Sequence, residues 1–277
     1  MNKKKIQKKY HDKIKLISKY NAYYYDKSNP IVNDEVYDNL KKEILQFEID
    51  YNFLKSEKSP SKVVGHKPSK NFKKLLHKVP MLSLGNAFSE EDLYNFEKRI
   101  KNFLMLKDKN KIYYNAEPKI DGISASLIYK KGKFYKGLSR GDGKEGEDIT
   151  ENLATINDIP KTILFKDFPD EIDIRGEVFI QNSDFKKLND KFANPRNAAS
   201  GSLRQKNSND TKKIPLKFIA YTFGYEKGLL IKNQSDFINK LSHWGFKTNP
   251  LNKLISGVKN LVENYNEIEK KKSKFRF

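Results

Sequence analysis

Between residues 112 and 139 three strand-like segments follow one another closely, and that spacing leaves each of the two short connections held between sheet strands. Ile112-Tyr113-Tyr114 opens the first, which runs to about residue 118, and Ile123 to Tyr129 alternates as a half-buried second strand. Lys131-Gly132 leaves room only for a tight turn into the third strand, 133–139, so the last two strands form a hairpin. The first pair is separated by Glu117-Pro118-Lys119-Ile120-Asp121-Gly122. Lys119 sits there between strands, beside a helix-breaking proline and a flexible glycine, with carboxylates two residues away on either side. A fixed position and a local field on the ammonium group are what a covalent lysine nucleophile requires. Taken alone, K-x-D-G is a weak pattern that a surface lysine in a β-turn explains better.

The flanking segments extend the pattern. Ile6, Tyr10, Ile14, Ile17, Tyr20 and Tyr24 recur at helical spacing over 5–26, and Ser28-Asn29-Pro30 ends that helix. Asn33 or Asp34 caps a second helix through about Phe47. Ser89, with Asp92 three residues later, starts a helix that reaches about Leu106. Further helices are expected over 148–156, 183–192 and 235–244, and strands over 172–180 and 216–225. The resulting expectation is an α+β chain: a small helical module over 1–70, then a mixed domain from 71 with antiparallel sheet and surrounding helices.

A length of 277 residues allows one sizeable core plus a smaller module. No apolar run is long enough to span a bilayer and no signal-peptide pattern precedes residue 30, which favours a cytoplasmic protein. The absence of cysteine excludes disulfides and cysteine zinc sites in this chain. A net charge of +20 suggests a polyanionic partner such as nucleic acid. Because 49 of the basic residues are lysine, part of that excess reflects compositional drift, and the six arginines carry more information. Four of them, Arg140, Arg175, Arg196 and Arg204, lie between 140 and 204, where a planar fork suits phosphate or carboxylate in a way an ammonium does not.

Five other clusters carry chemistry or packing. His77 to Leu84 reads as a loop with a small apolar wall, and core packing is its simplest role. Ser139-Arg140-Gly141-Asp142-Gly143 could offer amides and a guanidinium to phosphate, or be a solvated glycine turn. Arg175 and Glu177 share one face of a strand, as an ion pair or as the lining of a polar groove. Asn194-Pro195-Arg196-Asn197 to Arg204 sets two arginines about a helix start, a phosphate cradle. Tyr20 to Tyr25 with Asp34, Tyr37 and Asp38 place aromatics and an acidic edge on two adjacent helices.

In this order and spacing the clusters together resemble the amino-terminal part of bacterial NAD-dependent DNA ligases over essentially the whole chain. The segments that carry the resemblance are Tyr24-Tyr25…Asp34…Tyr37-Asp38, Met81-Leu82-Ser83-Leu84, Lys119-Ile120-Asp121-Gly122, Arg140-Gly141-Asp142-Gly143, Arg175-Gly176-Glu177-Val178-Phe179 and Asn194-Pro195-Arg196-Asn197. The resemblance implies a helical NAD-recognition module over 1–70 and an adenylation (nucleotidyltransferase) domain over 71–277. It implies that Lys119 takes AMP from NAD as a phosphoramide and releases nicotinamide mononucleotide. Glu117, Ser83 and Leu84 would line the adenosine site, with Tyr221 stacked on adenine. Arg140 and Glu177 would hold the ribose and phosphate side, and Arg196 and Arg204 the phosphates of NAD or DNA. Tyr24, Tyr25, Asp34, Tyr37 and Asp38 would hold the nicotinamide mononucleotide half, where aromatic faces and carboxylates suit a cationic ring. Nicked duplex DNA as partner, Mg²⁺ or Mn²⁺ as metal and a monomeric state follow from the same likeness.

Two departures accompany it. The connection from Phe185 to Asn194 is shorter than the family usually shows, a change of low cost in a surface loop. The family's D-G-x-V-x-K strand has no counterpart before Phe277, and neither do its oligonucleotide-binding fold, cysteine zinc module, helix-hairpin-helix repeats or BRCT module. The chain is therefore expected to be an incomplete adenylation domain with impaired activity by itself, zinc belonging only to the absent part. Two alternatives stay open. An ATP-dependent ligase or capping-type nucleotidyltransferase would share K-x-D-G without a use for the tyrosine and aspartate module. A non-enzymatic basic nucleic-acid-binding domain would account for the charge but not for the motif order.

Overall fold

A computed structural model describes residues 3–23, 31–32, 34–54, 59, 72–188, 192 and 194–271. In chain order its elements are α1 (Lys3–Asn21), α2 (Asp34–Asp50), a short 3₁₀ turn (Asn52–Leu54), β1 (Lys74–Leu76), α3 (Glu90–Phe103), β2 (Tyr113–Ala116), β3 (Ile123–Lys130) and β4 (Lys133–Ser139). There follow β5 (Glu145–Glu147), α4 (Thr150–Leu153), β6 (Glu171–Ile180), α5 (Asn182–Phe185), α6 (Pro195–Leu203), α7 (Ser208–Lys212), β7 (Leu216–Lys227), α8 (Gln234–His243), β8 (Lys253–Ser256) and α9 (Gly257–Lys271). Helices followed by a domain of antiparallel sheets with helices around them make this an α+β chain, as the strand spacing implies.

In the helical module, apolar residues at helical spacing pack on one another. Ile6, Tyr10 and Ile17 of α1 bury against Leu40 and Ile44 of α2, with Leu54 beneath and Tyr20, Tyr37 and Phe47 partly buried around them. The buried Tyr10 hydroxyl would be costly without a partner, and it donates to Glu48 Oε1 at 2.7 Å. Tyr37 ties the two helices by donating to Asn21 Oδ1 at 2.8 Å.

The main sheet has strand order β4-β3-β6-β7, all antiparallel. Its hairpin turn is the one expected: Lys131 and Gly132 have φ of 48° and 73°, the left-handed pair that matches strand twist. β6 is central and buried along almost all its length. Ile172, Ile174, Val178 and Ile180 face a core completed by Ala125, Leu127 and Tyr129 of β3, Phe218 and Ala220 of β7, Leu153 of α4, Ala198 and Leu203 of α6 and Phe237 and Leu241 of α8. The alternate residues of β6, Asp173, Arg175 and Glu177, stand on the opposite face by the two-residue period of a strand. They too are buried, so this face is a covered polar layer rather than a solvated one. Two smaller antiparallel pairs, β1 with β5 and β2 with β8, flank the sheet in sequence.

Several boundaries differ from expectation. The first helix ends at Asn21, and residues 24–26 lie outside the described residues. The segments 148–156 and 183–192 form only the single turns α4 and α5, followed by irregular turns; 189–191 are outside the described residues. Residues 145–147, for which no strand was expected, form β5 because they pair with β1. Ser89 and Asp92 do form the capping box that starts α3. That helix closes at Met105, whose φ of 52° lets Leu106 N–H reach Lys101 O at 2.8 Å.

Candidate functional site

The loop between β2 and β3 carries Lys119 and is pinned on both sides of it. Glu117 Oε1 accepts from Asn115 Nδ2 at 2.6 Å and from Gln234 Nε2 at 3.0 Å, and the same Gln234 nitrogen donates to Tyr221 O at 2.7 Å. Asn249 Nδ2 donates to Pro118 O at 3.3 Å. Arg196 Nη1 donates to Asp121 Oδ1 at 2.9 Å. Gly122 closes the loop against β6: a Cβ there would stand 2.3 Å from Val178 O and 2.9 Å from Glu177 Cγ, so a side chain would push the loop off the sheet. Lys119 itself is exposed. Held at both ends, it is a positioned lysine on a surface that a ligand can reach.

Glu177 faces this loop from the buried side. Ser124 Oγ donates to Glu177 Oε2 at 2.9 Å, matching the direct pairing of those residues between β3 and β6. Burial pushes the Glu177 carboxyl up from 4.5 to about 7, against the opposing pull of the Ser124 hydrogen bond and of the Arg196 and Lys119 charges. Tyr221 is half-buried beside the same group. Burial first, and then the Glu177 charge, raise its hydroxyl to about 12, while Ser124, Arg140 and Arg175 act in the other direction. The position of Tyr221 has a backbone cause. Gly176 pairs with Ala220 while Arg175 pairs with Thr222, so Tyr221 is the extra residue of a β-bulge. Bulges re-aim side chains in this way.

Arg140 approaches from the glycine loop. Its Nη2 donates to Ser83 Oγ at 2.8 Å and its Nε to Met81 O at 3.4 Å, while its own carbonyl accepts from His77 Nε2 at 3.1 Å. The loop's amides are used internally: Lys144 and Glu145 N–H both donate to Asp142 Oδ1, and Gly143 N–H to Arg140 O. The loop therefore brings the Arg140 guanidinium to the site, while its amides from 142 to 145 bond within the loop. Core packing is not the role of 77–84 as a whole. His77 and Met81 are buried, but Leu82 and Leu84 are 79% and 80% exposed, with Ser83 exposed between them.

Arg175 is not paired with Glu177. Its guanidinium bonds to Asp173 Oδ2 at 3.0 Å and to the carbonyls of Val79 and Pro80. Arg204 Nε donates to Oε2 of the fully buried Glu147 at 3.0 Å. In the helical module Tyr37 and Asp38 are half-buried on α2; Tyr24, Tyr25 and the side chain of Asp34 lie outside the described residues. Lys119, Asp121, Glu177, Arg196 and Tyr221 thus converge, with Glu117 fixed beside them. Gln234, Asn249 and Ser124 complete the group without having been singled out in the sequence. They carry no motif, and only the sheet register, the α8 N-terminus and the connection from α8 to β8 bring them in.

Among the described residues no three metal-ligating side chains cluster, and no helix is long and apolar enough to cross a membrane.

Comparison with known proteins places these groups in a family. The profile of the NAD-dependent DNA ligase adenylation domain matches residues 69–277, and that of the DNA ligase-like N-terminal NAD⁺-binding domain matches residues 3–65. The chain is 66% identical over 277 residues to a DNA ligase of Pelagibacter ubique, covering 100% of this chain and 41% of that protein. It is 45% identical over 265 residues to a DNA ligase of Parvibaculum lavamentivorans, covering 93% and 37%. A Rickettsia massiliae DNA ligase is 43% identical over 273 residues, covering 96% and 39%. The chain spans about two fifths of the length of these relatives.

Proposed function

The chain belongs to the NAD-dependent DNA ligase family, and from that premise we propose that it carries out the NAD-consuming adenylation by which a nick in duplex DNA is prepared for sealing. Lys119 Nζ attacks the adenylyl phosphorus of NAD, forming the lysine–AMP phosphoramide as the bond to nicotinamide mononucleotide breaks. AMP then passes to the 5′-phosphate of the nick, and the adjoining 3′-hydroxyl displaces it to form the phosphodiester. The observation that carries this reading is the convergence of Glu177, Arg196, Asp121 and Tyr221 on a loop-pinned Lys119. Such chemistry depends mainly on positioning and on charge placed beside the transferring phosphate.

In this reading Tyr221 stacks on adenine, Glu117, Ser83 and Leu84 line the adenosine, and Arg140 and Glu177 hold the ribose and phosphate side. Arg196 and Arg204 meet the phosphates of NAD or DNA, Arg204 from a position fixed by its Nε bond to Glu147. Mg²⁺ keeps most of its water and binds through substrate phosphates and one or two carboxylates. Asp121 and Glu177 would face it, and bound there it would neutralise phosphate charge.

The discriminating test is a chimera in which this chain is continued by the remainder of the Pelagibacter relative. Intact mass after incubation with NAD and Mg²⁺ should show one added AMP, lost in Lys119→Ala. An adduct formed from ATP but not NAD would overturn the reading. A second expectation concerns the helical module. Asp38→Ala should weaken nicotinamide mononucleotide binding about 10- to 100-fold, the worth of a charge-assisted contact, and leave AMP binding nearly unchanged. Equal weakening of both halves, read by calorimetry, would make the acidic edge structural.

A further inference from the structure

The polar layer of the main sheet contains a charge pair with no hydrogen bond to any side chain placed around the nucleotide. Asp173 and Arg175 are 5% and 7% exposed, bonded through Arg175 Nε at 3.2 Å and Nη2 at 3.0 Å to the same carboxylate oxygen. Ser126 Oγ donates to the other Asp173 oxygen. A buried pair of this kind is at best weak support for stability, so its other contacts matter. Arg175 spends the rest of its fork on the main chain, with Nη1 donating to Pro80 O at 3.1 Å and Nη2 to Val79 O. The next carbonyl along, Met81 O, and the hydroxyl of Ser83 are the two acceptors of Arg140. Met81 N–H in turn is held by Gly143 O at 2.8 Å, in the loop that bears Arg140.

The backbone of β7 is shaped for the pair. Ile172 pairs with Glu226 and Ile174 with Phe223, so two residues of β7, Gly224 and Tyr225, oppose Asp173 alone. A Cβ on Gly224 would lie 2.2 Å from Asp173 Oδ2 and 2.3 Å from Arg175 Nη2. The bulge and the glycine leave room for this pair and for no side chain.

We infer that Asp173 and Arg175, seated on Gly224, are positioning residues that hold the 79–83 strip in place and through it aim the Arg140 guanidinium. This rests on the nucleotide role proposed for Arg140 only for its catalytic consequence; the aiming itself is separate. Arg175→Lys keeps the charge but cannot reach three acceptors at once. Gly224→Ala keeps both charges and occupies their place. With six arginines in the chain, the Arg140 Nε–H signal is assignable by NMR through its loss in Arg140→Lys.

In Arg175→Lys and in Gly224→Ala this signal should move toward that of a free arginine and exchange faster with water. AMP affinity, by calorimetry on the chain, should fall about tenfold, the worth of one lost contact. The double variant Arg140→Ala/Arg175→Lys should bind AMP no more weakly than Arg140→Ala. An unmoved Arg140 signal in a folded variant of either kind, or additive losses in the double variant, would overturn the inference. If Arg140→Ala binds AMP normally, the nucleotide role of Arg140 fails, and the NMR signal alone decides the positioning. Should Arg175→Lys fail to fold, Gly224→Ala and Asp173→Asn carry the same comparison.

Discussion

Glu177→Gln is expected to stabilise the folded chain at pH 8 and to leave its stability at pH 4 unchanged, while sharply reducing adenylation. Glu177 has a folded-state pKa of about 7, raised from 4.5, with burial the main cause. Between those values the folded chain holds a proton that the unfolded chain has released. Stability therefore falls as pH rises through this window, and above about 7 the full cost of a buried carboxylate remains. The shift corresponds to about 3 kcal/mol. Glutamine keeps the oxygen that accepts from Ser124 Oγ and carries no charge, so it removes this cost. At pH 4 the wild-type carboxyl is largely protonated in both states and the variants should agree. Urea unfolding at the two pH values measures the difference; equal effects at both would show that Glu177 is not poised near neutrality. In the chimera the same substitution should slow lysine–AMP formation about 100-fold or more, as losing a positioned proton-transfer or charge-bearing group does. Stability and activity moving in opposite directions would mark a carboxylate kept for chemistry, not for folding.

The parts legible in the sequence were those set by local rules. Alternation and the Lys131-Gly132 turn gave the β3–β4 hairpin, Ser89 and Asp92 gave the start of α3, and the strand reading of 172–180 gave β6 to within a residue. The family likeness rested on motif order, which needs no three-dimensional knowledge. Less legible was everything that depends on which strands are neighbours. Arg175 and Glu177 stand two residues apart on one face, which suggested a pair, but Asp173 is equally close and shares its burial, and it is the partner. Leu82 and Leu84 look like core residues, but both are exposed, and the 79–83 strip is fixed by its carbonyls, the buried Met81 and the Ser83 hydroxyl. Gln234 and Asn249 reach the lysine loop from more than a hundred residues away, and no local signal announces them. Residues 145–147 form a strand only because β1, some seventy residues earlier, pairs with them.

Arg140→Lys is expected to lower lysine–AMP formation in the chimera about 10- to 100-fold although the charge is kept, since a charge-assisted hydrogen bond contributes about 1.5–3 kcal/mol. The guanidinium already spans two acceptors, Ser83 Oγ at 2.8 Å and Met81 O at 3.4 Å, from a backbone fixed by His77 at its carbonyl. These bonds set the plane of the fork before any nucleotide arrives. A lysine in its place offers one rotatable point charge and cannot keep both contacts while reaching for a phosphate or ribose oxygen. The expected loss is thus geometric, and raising the NAD concentration should recover only the part due to weaker binding. Measured as single-turnover adduct formation at saturating NAD, a rate within twofold of wild type would reduce Arg140 to general electrostatics. The guanidinium's bonds to the strip would then be structural, and the catalytic charge would have to come from Arg196, which is placed on Asp121 directly beside the attacking lysine.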